Sequence, residues 1–61
     1  METYLTVGQV ARIFSVTNYT VRVWLKDGKL QGHKPSGQWR IAKSEVARFA
    51  NQLYGEKNAT D

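Results

Sequence analysis

Cysteine is absent from this 61-residue chain, and with it go the disulfides and zinc–thiolate sites that often reinforce so small a domain. There is one histidine, His33, which builds no metal site alone, so neither a metal nor another cofactor is expected. No apolar run approaches the ~18 residues of a membrane-spanning helix, and METYLTVGQV lacks the basic and apolar segments of a secretion signal. A soluble, cytoplasmic protein with no membrane partner is the expectation. Paired carboxylates, a nucleophile with its base and a phosphate-cradling glycine loop are all missing. With so little chain to enclose a pocket, an enzyme finds no support.

Negative charge is also scarce. The formal net charge is +4 at pH 7, and the excess is unevenly placed. Between Thr17 and Lys43, Arg22, Lys26, Lys29, Lys34, Arg40 and Lys43 face Asp27 alone. Arg12, Arg48 and Lys57 in the flanks are outnumbered by Glu2, Glu45, Glu56 and Asp61. A basic middle points to a polyanion, with nucleic acid first among the candidates.

The apolar spacing divides the chain into short elements around one small core. Thr6 followed by Gln9 is a capping box, and Val7, Val10, Ala11 and Phe14 form one stripe, which predicts a helix over 7–14. Thr17 is an N-cap for a second helix that buries Val21, Trp24 and Leu25 and closes at Asp27-Gly28. From Leu30 the pattern changes to period two. Lys34-Pro35-Ser36-Gly37 suits a turn between antiparallel strands at Leu30–Lys34 and Gln38–Ile41. Val46, Phe49, Ala50 and Leu53 mark a third helix, roughly 43–53, with Glu45 in its first turn. The expected fold class is α+β, mainly α: a small winged helix-turn-helix in the order helix, helix, β-hairpin wing, helix. Residues 1–54 are its domain and 55–61 a disordered tail.

Burying Val21, Trp24 and Leu25 turns Tyr19, Val23 and Lys26 outward, with Arg22 and Thr20 on the shoulders. A merely solvated face, built from Glu, Lys and Gln, would not place Tyr19 and Val23 between two cations. In a helix-turn-helix this second helix enters the major groove, where Arg and Lys bond guanine and apolar groups meet the thymine methyl. The expected DNA contacts on it are Thr17, Asn18, Tyr19, Thr20, Arg22, Val23 and Lys26, with Thr17 a cap first and a phosphate contact second. On the wing they are Lys34, Ser36, Gly37, Gln38 and Arg40. Trp39 shares a strand face with Ile41 and is expected to pack on the helices, while Arg40 points the other way. For His33 a neutral strand histidine is favoured over a phosphate contact.

From Tyr4 to about Leu53 the runs YLTVGQVARIFSVTNYTVRVWLKDGKL and GQWRIAKSEVARF resemble the excisionase branch of the MerR-like winged-helix family. Agreement falls at Leu5-Thr6-Val7, Val10-Ala11, Val16, Thr20-Val21, Gly28-Lys29-Leu30 and Trp39-Arg40-Ile41. Ser15 stands where the family usually has Gly, which leaves that turn strained or slightly differently shaped, and Ala42 replaces a common Pro, which softens the start of the third helix. The resemblance implies sequence-specific binding of double-stranded DNA in a bacterial host, with Tyr19, Arg22, Val23 and Lys26 facing bases and Arg40 as the wing arginine. Longer MerR-type regulators add a coiled coil and an effector site, and neither pattern follows the third helix here, so no small-molecule effector is expected. Excisionases load as neighbouring copies on repeated sites, bend DNA and direct an integrase toward excision of a phage or mobile element. A small transcriptional regulator of such an element, using the same face, is the alternative. A protein-interaction module with an incidental basic face is the reading from another class.

Overall fold

A computed structural model describes residues 3–55. The tail expected over 55–61 lies outside them except for Gly55. The elements are strand β1 (Tyr4–Leu5), helix α1 (Val7–Phe14), helix α2 (Asn18–Asp27), strand β2 (Ile41–Ala42) and helix α3 (Lys43–Ala50), which runs on into a π-helical turn, Asn51–Gly55. No helix among the described residues is long and apolar enough to cross a membrane.

The ends of α1 and α2 have chemical causes. At the start of α1 the Thr6 hydroxyl accepts from the Gln9 amide at 3.2 Å, and the Gln9 side chain accepts from the Thr6 amide at 2.9 Å. At the far end the Val16 amide reaches back to the Ala11 carbonyl at 2.9 Å and the Ser15 amide to that of Arg12 at 3.2 Å. Helix α2 closes the same way, with Lys29 donating to Trp24 at 2.9 Å and Gly28 to Leu25 at 3.3 Å. Both closures need a left-handed residue. Gly28 supplies one at φ 85, whereas at the other turn Ser15 is held at φ 57, ψ 45, the strain that the missing glycine predicts.

The core lies where the three helices meet the sheet. Val10, Val21, Leu30 and Ile41 are its most deeply buried side chains, each contributing about 1.5–3 kcal/mol by leaving water. Phe14 sits at the centre of an aromatic cluster, edge-on to Trp24 and to Phe49, both at 5.6 Å between centroids.

Three expectations are corrected. The continuous strand over Leu30–Lys34 does not form, because its donors are used elsewhere: the Leu30 amide bonds the Trp24 carbonyl at 3.2 Å and the Gln31 amide the Glu45 carboxylate at 3.2 Å. The hairpin is closed instead by one pair, His33 with Arg40, through hydrogen bonds of 3.0 and 2.7 Å. The second strand begins later than expected, at Ile41, and pairs with the N-terminal segment, Tyr4 opposite Ala42 and Leu5 opposite Ile41. The third helix also departs from its stripe. Its π-helical turn, bonded i to i+5, carries Leu53 outward to 39% exposure and brings Tyr54 onto Phe14, stacked at 6.3 Å.

Candidate nucleic-acid interface

Helix α2 and the wing form the two walls of the candidate site. The N-terminus of α2 is fixed by Thr17, whose hydroxyl accepts from the Thr20 amide at 3.2 Å and lies 3.1 Å from the Thr20 hydroxyl. Both threonine hydroxyls are therefore engaged within the helix start. No acid occupies the first turn of α1 or α2, so both positive dipole ends are uncompensated there.

Past that cap, α2 turns Val21 and Leu25 into the core and leaves Asn18, Arg22 and Lys26 exposed. Tyr19 is 74% exposed, the most exposed large apolar side chain among the described residues, and Val23 is half-buried beside it. The wing faces this helix across two grooves. One runs between Asn18 and Arg22 on α2, Thr6, Val7 and Gly8 at the start of α1, and Lys34, Gly37, Gln38 and Trp39 on the wing. The other is lined by Tyr19, Arg22, Val23, Lys26 and Asp27, with Lys34 and Trp39 opposite.

The fold thus brings most of the expected contact residues to one surface. Thr17, Thr20, Ser36 and Arg40 line neither groove. Ser36 is exposed in the wing turn, which Gly37 completes at φ 84. Arg40 is half-buried and paired with His33. Opposed residues of an antiparallel pair share a face, so Arg40 lies with His33 and Tyr4, whose rings meet edge-on at 5.4 Å. Lys34 and Trp39 occupy the other face, and the Lys34 Nζ rests 5.2 Å from the Trp39 ring centroid. Lys34 and Arg40, both expected as wing contacts, are set on opposite faces by the pleat.

Sequence reasoning also missed the start of α1 as part of the groove wall. The capping box was the available signal, since it fixes Thr6 to Gly8 as a helix N-terminus, but only tertiary packing sets that terminus beside Arg22. The packing expected of Trp39 is only part of its environment. Trp39 is half-buried against the core and at the same time lines both grooves.

The charge on this surface is largely unopposed. Among the described residues the one ion pair is Glu45 with Arg48, on α3. The Arg48 guanidinium holds the Glu45 carboxyl below the usual glutamate range; partial burial works against this and the Gln31 amide assists it. The same contact raises Arg48 above its ordinary value. Among the described residues Arg22, Lys26 and Lys34 have no carboxylate at ion-pair distance, although Asp27 stands at the rim of the second groove. Unpaired cations on a convex helix beside a small hairpin suit a phosphate backbone, whose charge they neutralise with release of counterions.

A search of the curated proteins and of the solved structures gave no match. Residues 4–54 match a family model described as a helix-turn-helix domain, a family that includes small excisionase-like and MerR-like DNA-binding proteins. The match runs from the first residue of β1 to the end of the aromatic cluster at Tyr54, and on that extent the chain belongs to the DNA-binding helix-turn-helix domain family.

Proposed function

We propose that the protein is an excisionase, a recombination directionality factor that recognises repeated DNA sites with α2 and the wing. Arg22 and Lys26 bond base edges in the major groove, Tyr19 and Val23 contact thymine methyls, and Asn18 and the α2 N-terminus hold a phosphate. Lys34, Gly37 and Gln38, where the wing lines the first groove, contact the adjoining backbone, while Arg40 on the other face from Lys34 reaches flanking phosphate or a narrowed minor groove. The observation that carries the reading is the exposed set Tyr19, Arg22 and Lys26, facing Lys34 across one groove with no carboxylate among the described residues paired to its cations.

A domain of this size buries only about 600–1,000 Å² on DNA, too little for high specificity by itself. Several copies on adjacent repeats, or an integrase bound alongside, supply the remainder. Cooperative loading bends the DNA and sets the integrase in the arrangement that excises the element. Footprinting on an attachment region that contains direct repeats tests this. Protection that spreads over successive repeats as concentration rises, together with excision that requires the protein, is the expected result. Protection confined to one site overlapping a promoter would replace excision with transcriptional regulation by the same surface.

A further inference from the structure

We infer that Trp39 is a positioning residue for the phosphate contact made by the wing: its indole holds the Lys34 ammonium at the grooves beside Arg22, where it meets a phosphate of the strand whose bases Arg22 reads. This rests on the DNA-binding reading and adds to it a role that packing does not explain. Ile41, two residues along, is fully buried, whereas Trp39 packs against the core only in part. Trp39 is only half-buried, and the part it exposes lies in the grooves.

Three side chains, Arg22, Lys34 and Trp39, line both grooves and so form the ridge between them. On that ridge Lys34 has no carboxylate partner among the described residues, and its Nζ lies 5.2 Å from the indole centroid. A cation over a ring is held by the quadrupole of the π system and not by its N–H groups, so all three donors of the ammonium stay free for phosphate oxygens. A free lysine has many rotamers and loses them on binding; one resting on an indole has already lost much of that freedom. Tryptophan is the ring that holds a cation best. Phosphate contact carries no sequence information, so the effect is present on any duplex.

A double-mutant cycle decides it. The full chain, Lys34→Gln, Trp39→Leu, the double variant and Trp39→Phe are titrated by fluorescence anisotropy against a labelled mixed-sequence duplex of about 20 base pairs at low salt. Trp39→Leu is expected to weaken binding about two- to fivefold, the range of an exposed cation–π contact. In the Lys34→Gln background it is expected to have no further effect. Trp39→Phe keeps an aromatic ring of weaker attraction and falls between. If Trp39→Leu weakens binding by the same factor with and without Lys34, Trp39 acts through the fold alone and the inference is overturned. Circular dichroism shows which variants are folded. Should Trp39→Leu unfold, the cycle is run with Trp39→Phe, and additivity there is equally decisive against it. Failure of the unsubstituted chain to bind any duplex would instead sink the DNA reading on which the inference stands.

Discussion

The two helix ends that flank the helix-turn-helix set up an internal comparison. Both close through the same pair of backbone hydrogen bonds, yet one uses Ser15 and the other Gly28 as the left-handed residue. A side chain in that conformation costs about 1–2 kcal/mol. Replacing Ser15 with Gly removes the cost but adds freedom to the unfolded chain, an offset of about 0.5–1 kcal/mol. Ser15→Gly is therefore expected to stabilise the domain by roughly 0.5–1 kcal/mol, which in a chain this short raises the melting temperature by about 2–8 °C. Gly28→Ala should do the reverse at similar size. A Cβ at Gly28 meets nothing within 4 Å, so its cost is conformational alone. Thermal unfolding followed by circular dichroism reads both. A lower melting temperature for Ser15→Gly would refute the reasoning, because the strain at φ 57 would then be smaller than the entropy that glycine adds.

Other perturbations act on packing and charge. Gly32→Ala places a methyl 2.8 Å from Leu25 Cδ2, 3.2 Å from the Arg40 carbonyl and 3.3 Å from Ile41 Cγ1, and should cost about 1–3 kcal/mol in urea unfolding. Trp24→Ala opens the aromatic cluster against Phe14 and Phe49 and should cost about 2–3 kcal/mol, less than a fully buried tryptophan because Trp24 is half-buried. The Glu45 carboxyl is lowered in the folded state, so the unfolded chain takes up its proton first as pH falls. Its contribution is complete above the unfolded value of about 4.3 and is lost as pH drops through the folded one. Denaturant titrations between pH 6 and pH 3 should show this loss, reduced in Glu45→Gln; an identical pH profile in that variant would contradict it.

Much of this architecture is legible in the sequence because it is local. The bounds of α1 follow from Thr6, Gln9 and the Val7 to Phe14 stripe, and those of α2 from Thr17 and Gly28; the strain at Ser15 follows from a missing glycine. What escapes is whatever depends on partners distant in the chain. The pairing of Tyr4-Leu5 with Ile41-Ala42 is non-local and too short to leave a period-two pattern. The fate of Leu30 to Lys34 is decided by a carboxylate from α3 and a carbonyl from α2. The exchange of Leu53 for Tyr54 needs a π-helical turn, for which the apolar spacing gives no sign. In the candidate site, the outward face of α2 is legible through helical periodicity, whereas the contact of Lys34 with Trp39 depends on the register of the hairpin.

The central claim is that the surface of α2 and the wing binds DNA through its unpaired cations, and affinity as a function of salt tests it most directly. With about five phosphates neutralised, affinity for a duplex should fall by roughly 10²–10³ between about 50 and 200 mM salt. Arg22→Ala or Lys26→Ala should weaken binding to the specific site while leaving the melting temperature unchanged, and Lys34→Ala, which removes a phosphate contact, should lower the salt slope by about one. A flat salt response, no binding to any duplex, or full affinity in the Arg22→Ala, Lys26→Ala double variant would contradict it.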